Sequence, residues 1–438
     1  MELGWISCAI IVAMVLLLAA GVPFAFVTGV IGVVLCLWQF GPDSLSLLGS
    51  RAYSFLDSYT LVSVPLFILM ASLLERSRIA QDLYQAIAVW AGPTPGSVGV
   101  VTIGVAIVIG AAIGVSGGEM VLLGLVALPQ LLRLGYDRKL ACGLVCAGGA
   151  LGTLIPPSLV LVFYGLAAGV SVADLFVASA VPGLMLAAIY AAYVWLQCRL
   201  DPRRGPPPPA AELGRPLQEK LRLLRGIALP VAVAFSVLGS IYLGLASVTE
   251  SAALGVGGTL VAIALRRELS LDLIRHSLRQ TLSACGVVLW LVLGTNALIG
   301  VYNVMGGIDY ATALLRDLPF GRWGVLLLML GVWIALGFFI DWIGILLLTA
   351  PIFVPTATAL GFDAIWFGTL FNFCMMIGYM TPPFAPAAFF LKGVAPPEIT
   401  LETIYTALWP FIGLQFVGLA LLLAFPPIAL WLPSVLGD

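Results

Sequence analysis

Long apolar blocks, separated by short polar clusters, follow one another from end to end of this chain. A helix of roughly 17–25 apolar residues crosses a hydrocarbon layer about 30 Å thick. The blocks predict spanning segments over 5–20, 22–40, 58–75, 140–166, 172–198, 226–247, 249–265, 281–302, 365–391 and 403–433. Two further stretches, 97–133 and 323–359, are too long for one crossing and too short for two. Glycine and polar residues interrupt each near its middle, GVSGGE at 114–119 and GFFID at 337–341. Each predicts a re-entrant hairpin that enters and leaves on one side. Irregular backbone at membrane depth is tolerated only where protein or a watery cavity covers it.

Two of the spans carry their own breakers. GTLIPPS occupies 152–158 and GYMTPPF occupies 378–384. A proline in a helix interior costs about 3 kcal/mol, because it removes a donor and clashes with the preceding turn. Both spans are therefore expected to unwind in their middles. The two motifs are also copies. A shift of 226 maps Pro129 onto Pro355, Gly135 onto Gly361, Asp137 onto Asp363, Gly152 onto Gly378 and Pro156-Pro157 onto Pro382-Pro383. With Leu134/Leu360 and Leu144/Leu370 this makes 8 identities in 29 ungapped positions, where ordinary composition gives roughly two. An odd number of crossings per half makes the halves run oppositely. Inverted repeats with broken helices in matching places point to a transporter's midplane site.

Composition agrees. The chain is 61% hydrophobic and 9% charged over 438 residues, against about 25% charged in a soluble domain. The run Trp5 to Leu18 lacks a basic flank and a small-residue cleavage site, so it reads as a first helix. The net charge of −1 is silent on partners, and no nucleic-acid partner is expected. The proline-rich, basic segment 199–225 reads as a solvated linker, cytoplasmic by the positive-inside rule. Counting crossings back from it puts 17 of the 20 Lys/Arg inside, with Arg51, Arg316 and Arg322 outside, and both termini outside. The expected units are 1–198 and 226–438, each with scaffold helices, a hairpin, a broken helix (140–166 or 365–391) and a closing helix. Cys142 and Cys146, four apart on one face, read as small packing residues.

The candidate site lies between the hairpin tips and the breaks. It draws on Gly114, Ser116, Gly117, Gly118, Glu119, Gly152, Thr153, Pro156, Ser158, Gly337, Asp341, Gly378, Thr381 and Pro382. Unwound carbonyls can hold a cation, and a half-helix N-terminus can face an anion. The hydroxyls of Ser116, Thr153, Ser158 and Thr381 add hard oxygen ligands. Carboxylates inside a membrane cost about 2.5–3.5 kcal/mol and are default functional candidates. Asp341 is the foremost. Glu119 either serves the site or caps a half-helix. Glu250, Asp137 and Asp363 stand at helix starts, where a capping carboxylate is favourable. Asn372 reads as an interhelical hydrogen bond or a ligand. Segments 80–92 and 307–318 read as amphipathic interfacial arms.

At these residues the chain resembles the large membrane subunit of tripartite ATP-independent periplasmic (TRAP) transporters, the DctM-like permeases. The resemblance covers almost the whole length. It is carried by Pro65 to Phe67, Gly135 with Tyr136, GTLIPPS at 152–158, Leu175 with Phe176, Pro182 with Gly183, Thr249 with Glu250, Gly337 with Asp341, Gly361 to Asp363 and Thr381 to Pro383. It implies an all-α polytopic protein of the bacterial inner membrane, with two inverted-topology repeats moving as an elevator. It also implies sodium-coupled import of small organic acids, with sodium near Ser116, Gly152, Thr153, Gly378 and Thr381 and no other cofactor. Two partners follow: a separate small four-helix membrane subunit and a periplasmic substrate-binding protein. The first tip departs from the family's usual Gly-Ser-Ser-x-Ala by placing Glu119 where a small polar residue is common.

Two rivals remain. One is a stand-alone organic-anion symporter without a binding protein. The other is a membrane protease, since Gly114 to Gly117 reads Gly-x-Ser-Gly. A serine nucleophile needs a base, and the sole histidine, His276, lies in a basic interfacial stretch and in none of the spans. The protein is therefore expected not to be an enzyme.

Overall fold

The computed structural model describes residues 2–77, 79–114, 117–209 and 216–436. All regular structure there is helical. In the first half α1 is Glu2–Ala19, α2 Phe24–Phe40, α3 Leu45–Leu56, α4 Ser63–Arg76, α5 Ile79–Ala88, α6 Ser97–Ile113, α7 Gly118–Arg133, α8 Arg138–Leu151, α9 Leu159–Ala168 and α10 Val172–Leu200. In the second half α11 is Leu217–Tyr242, α12 Val248–Leu265, α13 Leu271–Val304, α14 Gly307–Arg316, α15 Gly321–Gly337, α16 Trp342–Ala359, α17 Ala364–Met380, α18 Pro386–Val394, α19 Leu401–Ala424 and α20 Pro427–Leu436. From α12 to α19 each element sits within a few residues of a first-half element shifted by 226.

The copies differ in one place. The first half breaks at Asp57 and Ser58 and restarts through a 3-10 turn, Tyr59–Val62, before α4. The second half runs unbroken as the 34-residue α13, which extends the expected span 281–302 at its start. Its first turn is fixed by Ser270, whose hydroxyl accepts from Leu273 N–H at 3.2 Å. α2 lies along α13, and α12 along α4. The α2–α13 approach is close because Gly32 faces the backbone of Ala297 and Leu298, where a Cβ would sit 2.6–2.7 Å from their atoms.

The broken helices form the centre. Every residue of α8 from Leu140 to Leu151 is buried, as is α9 from Leu159 to Gly165 and α17 from Trp366 to Gly378. An apolar helix surface all round is the mark of such a position. At 1.5 Å per residue α8 and α9 reach only about 21 and 15 Å, so the crossing needs both of them plus the break. Helix starts agree with the sequence. Asp137 accepts from Leu140 N–H at 2.9 Å. Asp363 accepts from Ile365 and Trp366 N–H. Glu250 completes a capping box with Ser247.

Two expectations need correcting. The span 403–433 is not one helix: α19 ends at Ala424, and α20 turns back onto α10. Pro426 and Pro427 supply no N–H to continue the ladder. Segment 199–225 is not a free linker. Residues 199 and 200 belong to α10, and α11 starts at Leu217. The Arg204 carbonyl accepts from Asp137 N–H at 2.9 Å, and the Gly205 carbonyl from Gly96 N–H at 2.8 Å. Residues 210–215 lie outside the described part.

These pins carry a topological consequence. They gather the starts of α6, α8 and the 201–206 loop at one end of the bundle. Arg266 pairs with Asp82, and Arg76 reaches Gln280, joining four more elements through their basic ends. The far end of α9 opens instead on Tyr59, Ser171 and Thr249. In a Cys8→Ser background, a Gln218→Cys chain is expected to resist an impermeant maleimide on intact spheroplasts and to react after permeabilisation. Ready labelling of intact cells would reverse the orientation.

Candidate functional site

Each hairpin closes on the break of its own half and clasps a half-helix of the other. In the first half Gly114 closes α6 and Gly117 precedes α7, both at positive φ, a conformation that suits a residue without Cβ. The Gly114 carbonyl accepts from Leu159 N–H at 3.2 Å, so the tip satisfies an open donor at the start of α9. Gly110 lies against Gly152, where a Cβ would come 2.8 Å from the Gly152 Cα. In the second half Gly337 meets Gly378 in the same way, at 3.0 Å. Across the repeats, a Cβ at Gly117 would strike the Phe390 ring of α18 at 2.9 Å. Phe163 of α9 meets Trp342 of α16 edge-on at 5.7 Å.

The breaks have defined hydrogen bonds. After Leu151 the chain tightens, with Thr153 N–H on the Ala150 carbonyl and Leu154 N–H on that of Leu151. Pro156 and Pro157 follow, and Ser158 turns its hydroxyl back onto the Thr153 carbonyl at 2.5 Å. In the second break Thr381 N–H bonds the Gly378 carbonyl, and Ala385 N–H bonds that of Thr381. Ala385 takes φ of 33°, a strained conformation for a residue with Cβ. The hydroxyls of Thr153 and Thr381 donate to the Ala150 and Ile377 carbonyls, leaving their oxygen lone pairs open.

A cleft opens where these parts meet. Thr153 lines it from the first break, Gly337 and Asp341 from the second hairpin, and Gly378, Tyr379 and Phe384 from the second break. Its described lining residues include no lysine or arginine. Of the residues singled out from sequence, Thr153, Gly337, Asp341 and Gly378 therefore share one wall. Thr381 and Pro382 belong to the second break and Gly152, Pro156 and Ser158 to the first, all outside the cleft lining. Gly114, Gly117, Gly118 and Glu119 belong to the first tip, outside the cleft lining. Ser116 falls outside the described residues.

Asp341 has a structural task as well as a position. It caps α16, its Oδ2 accepting from Ile343 N–H at 3.3 Å. Glu119 stands in the first turn of α7, favourable for an acid. It is 1% exposed, and its carboxylate packs on Gly152 so closely that a Cβ there would overlap it. Tyr379 was not anticipated. It occupies the counterpart of Thr153 under the 226 shift, its hydroxyl is buried, and it lines the same cleft as Asp341. The shift itself would have nominated it.

Comparison with known proteins identifies the family. Residues 11–428 match the family model described as the tripartite ATP-independent periplasmic transporter, DctM component. The C4-dicarboxylate TRAP transporter large permease protein DctM of Pseudomonas aeruginosa is 29% identical over 404 residues, covering 92% of this chain and 93% of the relative. The ectoine TRAP transporter large permease protein TeaC of Halomonas elongata is 29% identical over 377 residues, covering 85% and 86%. The crystal structure of the YdaH transporter of Alcanivorax borkumensis shares the fold, with a TM-score of 0.61 at 14% identity over 93% of this chain and 96% of that one. With the family model matching residues 11–428, this polytopic membrane chain belongs to the DctM component family of tripartite ATP-independent periplasmic transporters.

Proposed function

We propose that the chain is the large permease subunit of a sodium-coupled, binding-protein-dependent importer of small organic acids, working by elevator-type alternating access in a bacterial inner membrane. The observation that carries this reading is the cleft shared by both breaks and the second hairpin tip. It offers the hydroxyls of Thr153 and Tyr379 and the carboxylate of Asp341 but no fixed cation among its described lining residues. Sodium at the breaks supplies the positive charge that a carboxylate substrate needs. α5 and α14, at matching places in the halves, act as arms between a fixed scaffold and the moving centre. Both termini face the periplasm. Relatives named for C4-dicarboxylate and for ectoine support a substrate among small carboxylates.

The partners are a small membrane subunit and a periplasmic substrate-binding protein. In proteoliposomes the chain alone is expected to give negligible uptake, as is the chain with the small subunit. Adding the liganded binding protein should raise uptake by more than tenfold. Robust uptake of free substrate by the chain alone would replace this reading with a stand-alone organic-anion symporter.

A further inference from the structure

α17 carries a buried amide to which the transport reading gives no task. Asn372 is fully buried. Its Nδ2 donates to the Thr153 carbonyl in the first break at 2.9 Å. Its Oδ1 is buried without a partner among the described residues. An apolar side chain would fill the same space without that unfavourable group. The donor, and not packing, therefore accounts for the residue.

What the donor joins is specific. Six residues after Asn372 comes Gly378, where α17 meets the second hairpin and opens into the second break. The intervening segment is buried helix of under two turns. It is a stiff rod about 9 Å long, with the Thr153 carbonyl at one end and the second break at the other. The reverse tie is weak. The first-half counterpart of Asn372 is Cys146, whose thiol lies 3.9 Å from the Ala387 carbonyl at the start of α18, and a thiol is a poor donor.

We infer that Asn372 is a positioning residue that couples the two half-sites, so that occupation of one break by a cation prepares the other. The inference rests on the proposal that the breaks bind sodium. A displacement of the second break on binding is passed along the rod to the Thr153 carbonyl, which Ser158 otherwise holds alone. Coupling between sites requires such a shared two-state element. The single strong tie couples the two breaks reciprocally, so that a cation at either one favours binding at the other.

Sodium alone is the probe. The purified full chain in detergent is titrated with sodium at constant ionic strength against choline, following thermal unfolding and tryptophan emission. The native chain should respond with a Hill slope near 2. Asn372→Cys copies the first-half residue, and Asn372→Leu fills the space without a donor. Both should bring the slope to about 1. Ser158→Ala, which removes the other donor to the same carbonyl, should weaken binding but keep the slope. A purely structural role would lower stability and leave the slope unchanged. A slope near 2 in both Asn372 variants overturns the inference while leaving the sodium reading standing, and so does a slope near 1 in the native chain or in Ser158→Ala. Absence of any sodium response in the native chain removes the sodium reading and this inference with it.

Discussion

Replacing Gly378 by valine is expected to reduce uptake at least a hundredfold while the protein still reaches the membrane. A Cβ at this position would stand 2.9 Å from the Gly337 Cα and 3.3 Å from the Gly337 carbonyl carbon and oxygen. Those atoms are backbone, so no side chain can swing aside. α15 and α17 must part, and the second hairpin tip moves with them. Overpacking of this kind costs about 1–3 kcal/mol, which a large buried centre can absorb. Function is less forgiving, because Asp341 and the second break must hold their relation to Thr153. A misplacement of about 1 Å in a positioned site can cost roughly two orders of magnitude. Gly152→Val should be similarly damaging for a different reason: its side chain would enter the space of the Glu119 carboxylate. Monodisperse elution on size exclusion, paired with uptake, separates the two effects. Uptake above half the native rate in well-folded Gly378→Val would show that the contact does not organise the site.

Where the sequence spoke clearly, it did so through patterns that physics forces to be local. Pro156-Pro157 and Pro382-Pro383 had to break their helices, and they do. Asp137 and Asp363 had to cap, since the N–H groups they accept from are two or three residues away. The 226-residue shift, drawn from a short window of matches, extends through every element from α12 to α19. Backbone contacts of the 201–206 loop had no sequence signature, because any residue can offer a carbonyl to Gly96 or Asp137. The turn at Phe425 was hidden because its prolines lie inside an apolar run long enough to cross. The bond from Asn372 to Thr153 joins residues 219 apart. Only the packing of one half against the other could place that amide at the break and not at a neighbouring helix. Asp341 shows the limit of residue type as a guide, since it both caps α16 and lines the cleft.

That double role shapes the second large effect. Uptake by the reconstituted complex is expected to require an inward sodium gradient and to rise with an inside-negative potential. None of the 20 Lys/Arg lies in the sequence of either break or either hairpin tip. A half-helix N-terminus offers about half an elementary charge, short of what one carboxylate demands, and the Leu159 N–H at one such terminus is already engaged by Gly114. Bound sodium would make up the difference, so ion and substrate should bind cooperatively. Asp341→Ala should abolish uptake at physiological sodium, but it also removes a helix cap worth about 1 kcal/mol. Asp341→Asn separates the two contributions, because asparagine caps as well as aspartate and carries no charge. If the charge serves the ion, Asp341→Asn should stay folded and still need at least tenfold more sodium. If the cap alone matters, it should transport normally. Thr381→Val keeps the shape of the break and deletes one hydroxyl, and it should raise the sodium requirement severalfold. Protons are the competing coupling ion, with Glu119 and Asp341 as carriers. Full-rate uptake with choline in place of sodium under a pH gradient would make them the coupling ion.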